Sequence, residues 1–331
     1  MSESPRPPDK GGGAKRRGVS VSQKPTPRSP TARDPLVRGS SKGRKVGVIG
    51  LGIMGSAMAA NLLRAGFAVH GYDIDAARRK AFQQAGGVIA SSVSNLRAPV
   101  IITSLPSAAA LHKVARQLKA KCIVIETSTL PIDEKILAGE TLRKKGIVLL
   151  DCPLSGTGAQ ARTKDLVVFG SGDRAAFSKT SAVLKGFSRA HHYLGEFGNG
   201  SKMKFVANLM VAIHNVSAAE AFVLGMKAGL PAKTIFKVAG DGAGTSRMFQ
   251  VRGPMMVAGR YQDATMTNEL WQKDMKIIGE FAVKHGVPTP LFNASAAIYT
   301  AAMAQGFGKQ DTGAVCAVLE GLAGIRRKKH G

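Results

Sequence analysis

The chain is poor in cysteine, tryptophan and acidic residues. Its 331 residues include 3 cysteines and 1 tryptophan, and aromatic residues make up 5%. The cysteines, Cys122, Cys152 and Cys316, are odd in number, far apart and set in apolar surroundings. That spacing excludes a disulfide framework and a thiolate metal site, and points to reduced, buried thiols in a cytoplasmic protein with no metal. No uninterrupted apolar run reaches the roughly 18–20 residues that span a bilayer, so no membrane partner is expected. The basic N-terminus is not followed by an apolar stretch, so it is not a secretory signal. Arg16 and Arg17 lead into GVSVSQKPTP, which is too polar for a twin-arginine export signal.

The shortage of acids leaves a formal net charge of +26. Residues 1–44 carry 11 Lys and Arg against 3 Asp and Glu, and the remainder carries 36 against 18. A basic surface attracts anions, from nucleic acid to small acidic substrates, although a solvated charged surface explains the excess as well. The first 44 residues also hold 7 of the 15 prolines and almost no large apolar side chains. Such a stretch cannot bury enough surface to offset its ordering entropy and is expected to be disordered. It reads either as a nucleic-acid-binding arm or as a segment upstream of the true start.

From Lys45 the pattern changes. KVGVIG is a short apolar strand, and IMGSAMAANLLRAG follows with helical period, Met54, Met58, Leu62 and Ala65 forming one stripe and Gly66 a stop. Further strands read at FAVHGYD, 99–105, 122–127, 146–151 and 166–172, with helices at 107–119, 131–144 and 174–185 between them. The alternation argues a doubly wound, mainly parallel sheet at 45–195. Beyond about residue 196 only helical periods remain, to about 327. The fold class is therefore α/β, a doubly wound, mainly parallel domain followed by an all-α domain.

GLGIMG places Gly50, Gly52 and Gly55 in a G-x-G-x-x-G turn between a strand and a helix. There the first glycine permits the tight turn, the second admits a pyrophosphate, and the third lets helix and strand pack, with the helix N-terminus facing the phosphates. Ile53 and Met54 belong to the same cofactor-binding turn. Asp73 ends the second strand 21 residues after Gly52. A carboxylate there accepts from adenosine ribose hydroxyls and repels a 2′-phosphate, favouring NAD over NADP. Arg78 and Arg79 just beyond soften that preference.

GNGSKMKFVAN sets Lys204 four residues before Asn208. The spacing puts both on one helical face. Taken alone it fits two solvent-facing polar residues as well as a catalytic pair.

Together the GLGIMGSAMAANLLRAG turn, DCPLSG, GNGSKMKFVAN and QKDMKIIGEFA occur in the order seen in the β-hydroxyacid dehydrogenases. The chain resembles that family, which includes 3-hydroxyisobutyrate dehydrogenase, tartronate semialdehyde reductase and, more distantly, 6-phosphogluconate dehydrogenase, from about Lys45 to Ala323. The resemblance implies an oxidoreductase that moves hydride between NAD and a small anionic 3-hydroxy acid or its semialdehyde. It implies Lys204 as general acid/base and Asn208 as its partner, and Ser155, Gly156, Thr157 and Lys273 around the substrate. Thr157 departs from the family's glycine. Arg162 stands where a small residue is usual and, if turned inward, would meet a second anionic group. Leu105, Pro106, Thr129 and Lys273 are implied as cofactor contacts, Ser246 and Phe249 as pocket residues, and Asp274 as structural. Asp311 reads equally as a helix cap, and Trp271 as a packing anchor. The resemblance also implies that the first domain is a Rossmann domain, joined by a long helix to the all-α domain, and that the protein is a homodimer or homotetramer built through the α-domain. Two alternatives stand beside it. One is an NADP-dependent imine-reductase-like enzyme, against which Lys204 and Asp73 both weigh. The other is a nucleic-acid-associated, cofactor-sensing protein that uses the basic tail.

Overall fold

The computed structural model describes residues 43–119 and 121–327. Of the tail 1–44, only Gly43 and Arg44 fall within these residues, and the expectation of disorder for the rest lies outside them. Six parallel strands form the main sheet: β1 (Lys45–Ile49), β2 (Ala68–Tyr72), β3 (Val88–Ile89), β4 (Val100–Thr103), β5 (Ile123–Glu126) and β6 (Val148–Asp151), in the order β3-β2-β1-β4-β5-β6. Between the strands run α1 (Ile53–Arg64), α2 (Ala76–Gln84), α3 (Ala108–Gln117) and α4 (Ile132–Arg143). Helices cover both faces, which is why the strands read as apolar runs. Val48, Ile102 and Leu150 share a core with Met58 and Leu62 of α1, while Ile101 and Val124 share another with Leu111 and Leu142. The strand order reverses between β1 and β4, opening a crevice at their C-terminal ends, which is where ligands bind in such sheets.

The segment 166–172 departs from the expected series. Its strand β8 (Val167–Gly170) lies in a second sheet, β7-β8-β9, with β7 (Leu154–Ser155) antiparallel and β9 (Ala190–Tyr193) parallel to it. Only Cys152 and Pro153 separate β6 from β7. They keep the chain running straight on, since Asp151 opposite Ser171 and Ser155 opposite Val167 share one antiparallel register, and the reversal comes between β7 and β8, over a connection shorter than the dozen or more residues a parallel crossover needs. One antiparallel bridge, Asp151 to Ser171, joins the two sheets. Within this region α5 (Gly158–Arg162) and α6 (Arg174–Phe187) pack on α1.

The rest is helical. α7 (Asn199–Lys227) contacts α8 (Ala232–Asp241), α9 (Arg247–Ala258), α10 (Asn268–Lys284), α11 (Pro290–Ala304) and α12 (Val315–Leu322). At 29 residues and a mean hydropathy of 1.5 in its most apolar window, α7 is long and apolar enough to cross a membrane by length and composition. It holds no uninterrupted apolar run of that length, because Lys202, Lys204, Asn208, Asn215 and Glu220 punctuate it. Here it is the helix around which the others pack, with Phe205, Ala212, Val216, Ala219 and Phe222 in the helical core.

A buried polar joint ties α7 to the sheet. Lys135 of α4 is fully buried and pairs with Glu126 at 2.6 Å and with Asp151 at 2.8 Å, and it donates to the Ser128 carbonyl at 2.7 Å. Burial opposes its charge, but Asp151 and Glu126 outweigh burial and raise its pKa. Asp151 in turn accepts from Ser201 N–H and from Ser201 Oγ, each at 2.8 Å. Removing one partner of a buried ion cluster leaves uncompensated charge. Lys135→Met strands two carboxylates and is expected to cost about 3–5 kcal/mol of stability. Urea-induced unfolding checks this, and a loss well below that range would show that the cluster relaxes or takes up water.

Candidate functional site

The glycine turn sits at the head of the crevice. Gly50 has φ +90°, and a Cβ there would lie 2.1 Å from the Ser104 carbonyl oxygen. A Cβ on Gly55 would lie 1.8 Å from the Gly50 carbonyl oxygen. Both positions therefore require glycine for the fold itself. Gly52 differs: a Cβ there meets only the Arg78 guanidinium, at 3.7 Å. That open space lies at the start of α1, whose N-cap, Gly52, makes no side-chain capping bond. Four N–H groups at a helix start need partners, so this is a cradle shaped for a pyrophosphate.

Asp73 is buried beside the turn. Its Oδ2 accepts from Leu51 N–H at 2.6 Å and its Oδ1 from Asp75 N–H at 2.9 Å. Arg78 Nη1 stands 3.7 Å from the same carboxylate. Arg79 turns to the backbone instead, donating to the carbonyls of Asp73 and Ile74. Across the crevice, Leu105 follows β4, its N–H held by Ser128 Oγ at 2.8 Å, and its side chain approaches Gly50. Pro106 is exposed beside it.

Below the turn lies a cluster built by α7 and α10. Lys204 and Asn208 are both buried, one helical turn apart. Asn208 Nδ2 donates to Asp274 Oδ2 at 2.9 Å. Lys273 Nζ donates to the Thr129 carbonyl at 2.9 Å and lies 3.6 Å from Asp274 Oδ1. Among the described residues Lys204 Nζ has no hydrogen-bond partner. Burial drives its pKa below the ordinary lysine value, Asp274 pulls it back up, and Lys273 pushes it further down. Burial raises the Asp274 pKa, against the pull of Lys204 and Lys273. The cluster thus holds a desolvated amine beside a carboxylate that already serves an amide.

The serine loop frames the other side. Ser155 is half-buried and paired in register with Val167. Gly156 has φ +132°, which favours glycine, and Thr157 has φ −94°, which any residue adopts. The missing second glycine therefore costs the backbone nothing here. Gly158 abuts Ile53 of the cofactor turn, where a Cβ would lie 2.5 Å from Ile53 Cγ2. Asn61 and Arg64 of α1 hold the carbonyls of Ala161 and Arg162 at 2.7 and 3.0 Å.

Several expected residues stand elsewhere. Arg162 is exposed, and its carbonyl rather than its guanidinium is engaged, so the inward-turned arrangement is not the one found. Phe249 is no pocket residue: it is buried and stacked between Phe222 and Phe236. Ser246 is the N-cap of α9. Asp311 caps the turn that follows it and pairs with buried Arg252 at 2.9 Å, as a capping role requires. Trp271 is buried against Tyr299. The cysteines are free and buried, and burial pushes Cys122 up to about 11 and Cys316 up to about 12. Asp274 stands beside Lys204 and Asn208, a neighbourhood that nothing in the sequence shows.

Fold and site define a Rossmann-type oxidoreductase that binds a nicotinamide dinucleotide. Comparison with known proteins makes this specific. Residues 45–195 match the NAD binding domain of 6-phosphogluconate dehydrogenase, and residues 198–319 match the NAD-binding domain of NADP-dependent 3-hydroxyisobutyrate dehydrogenase. L-threonate dehydrogenase of Cupriavidus necator is 32% identical over 84% of this chain and 97% of its own. 2-(Hydroxymethyl)glutarate dehydrogenase of Eubacterium barkeri is 30% identical over 86% and 97%. The crystal structure of 3-hydroxyisobutyrate dehydrogenase from Salmonella typhimurium is 27% identical and superposes with a TM-score of 0.76 over 83% of this chain and 99% of that one. The chain belongs to the β-hydroxyacid dehydrogenase family, as an NAD(P)-dependent 3-hydroxyacid dehydrogenase.

Proposed function

We propose that this dehydrogenase uses Lys204 as its general acid/base, on a small 3-hydroxy acid or the matching semialdehyde. The observation that carries the reading is a buried lysine with no protein partner among the described residues and a pKa lowered chiefly by burial. The nicotinamide supplies the hydride acceptor or donor when the dinucleotide is bound. In oxidation, neutral Lys204 takes the hydroxyl proton as hydride leaves the carbon. In reduction, its ammonium form returns that proton to the forming alkoxide. Asn208 has a second amide N–H beyond the one given to Asp274, suited to hold the substrate hydroxyl oxygen in reach. Asp274 orients Asn208 and tempers the lysine's loss of basicity. Ser155, Gly156 and Lys273 take the substrate carboxylate.

NAD is the preferred cofactor in this reading. The Asp73 carboxylate is fixed by two backbone N–H groups, where a 2′-phosphate would meet it. Arg78 at its side is the group that would serve NADP. The protein acts in the cytoplasm as a homodimer or homotetramer. Met203, Val206 and Met210 form an exposed apolar stripe on α7 with Leu270 exposed on α10, a surface suited to a second copy. Sedimentation of the full chain at micromolar concentration tests this, and a monomer would contradict it.

Lys204→Ala is expected to lower kcat by roughly 10²–10⁴, and near-normal turnover would refute the assignment. In the wild type, oxidation should rise with pH through the depressed Lys204 pKa, and reduction should fall through it. Asp274→Asn removes the charge that raises that pKa, so both midpoints should move down. Asp73→Ala should shift the NAD/NADP ratio of kcat/KM toward NADP by roughly tenfold or more, as expected for a lost bond to a charged group. An unchanged ratio would remove Asp73 from the ribose site.

A further inference from the structure

A cavity of about 490 Å³ adjoins the serine loop, lined by Ser155, Gln160, Asp165, Val167, Arg189 and Arg247. Ser155 is the carboxylate contact of the proposed reaction, and the other five have no part in it. Asp165 holds both arginines: Arg189 Nε donates to Oδ1 at 2.7 Å and Arg247 Nη2 to Oδ2 at 3.4 Å. Arg189 precedes β9 and Arg247 begins α9, so the cluster spans from the second sheet to the helical layer. Two guanidinium groups against one carboxylate leave the cavity wall with excess positive charge.

Stability does not explain this arrangement. Arg189 and Arg247 remain 64% and 69% exposed, and ion pairs so exposed contribute little. Arg247 also sits badly for its helix, since a cation at the N-terminus opposes the helix dipole, and Ser246 already caps that end. Asp165 connects onward to the serine loop. Gln160 Nε2 donates to Asp165 Oδ2 at 3.2 Å, and Gln160 Oε1 accepts from Thr157 N–H at 3.0 Å.

We propose that Arg189 and Arg247 form a subsite for a second carboxylate of the substrate, so that the enzyme selects hydroxy-dicarboxylic acids over monocarboxylic ones. This rests on the reading of Ser155 as a substrate contact. The first carboxylate sits at Ser155, and the second replaces Asp165 between the two guanidinium groups, each of which offers paired N–H donors to a carboxylate. Asp165 is the internal occupant of the empty subsite. Its hydrogen bond from Arg189 holds its carboxyl below the ordinary aspartate range, so it competes as an anion at neutral pH. Gln160 carries the exchange to Thr157 and the loop that bears Ser155.

Calorimetric titration of the full chain with NAD+ present tests the subsite without turnover, using succinate, glutarate and adipate against butyrate. The wild type should bind at least one of the dicarboxylates roughly 10–100-fold more tightly than butyrate, the range for hydrogen bonds between charged groups. In the Arg189→Ala/Arg247→Ala double variant that ratio should collapse to near one. Asp165→Asn should bind the dicarboxylate more tightly than the wild type, because the internal competitor is gone. A purely bracing ion pair would instead lower the melting temperature and leave the ratio alone. A wild type that treats every dicarboxylate like butyrate would overturn the proposal, as would a double variant that keeps the preference. Reduction of NAD+ by hydroxy acids, assayed on the same samples, separates the two readings. Silence there would count against the proposed reaction, while the calorimetric ratio would still decide the subsite.

Discussion

The structure depends on one buried carboxylate. Asp151 ends β6, where the parallel sheet, the second sheet and the long helix α7 converge. Its oxygens accept from Lys135, from the backbone and hydroxyl of Ser201, and from Ser171 Oγ at 3.2 Å. Left unpaired, a buried carboxylate would cost several kcal/mol, so the surroundings converge on satisfying it. The result also anchors the first turn of α7, whose N–H groups would otherwise lack partners. Gly200 lets the helix come this close, because a Cβ there would lie 2.3 Å from the Phe169 carbonyl oxygen. Lys204 follows Ser201 by three residues. Its position relative to the nucleotide-binding crevice is therefore set by the joint, and not by contacts of its own.

Two motifs distant in sequence thus meet in one piece of architecture. DCPLSG contributes Asp151 to the joint and Ser155 to the site. GNGSKMKFVAN contributes Gly200 and Ser201 to the joint and Lys204 and Asn208 to the site. Each motif holds its candidate site residue a few positions beyond its anchor, so the anchors fix how the two candidate regions face each other. The tight spacing follows from this, since an insertion between anchor and reactive residue would rotate the side chain off the site.

Much of this was legible in sequence, and the exceptions have physical reasons. The Rossmann half followed from apolar strands alternating with helices, because covering both faces of a parallel sheet forces that pattern. The glycine turn was legible because steric need fixes the residue type at Gly50 and Gly55. The place of β8 was not, because strand propensity does not say which sheet a strand joins. Phe249 and Arg162 show the limit of reasoning from position within a motif. One is absorbed by the helical core and the other faces solvent, and both outcomes depend on packing between distant segments. Asp274 shows the converse, its importance arising from α7 and α10 lying side by side, a contact spanning 66 residues of sequence.

The proposed chemistry turns on a balance of charges around Lys204. Burial and Lys273 make the amine a weaker base, and Asp274 makes it a stronger one. The net effect is a pKa below the ordinary lysine value, the direction that favours the neutral amine a proton acceptor needs. NMR titration of ¹³C-labelled lysine side chains, with the Lys204 signal assigned by its loss in Lys204→Arg, measures this directly. The account predicts that Lys204 titrates below the ordinary lysine value and apart from the other lysines, and further down in Asp274→Asn. A Lys204 that titrates with the exposed lysines, or above them, would contradict it.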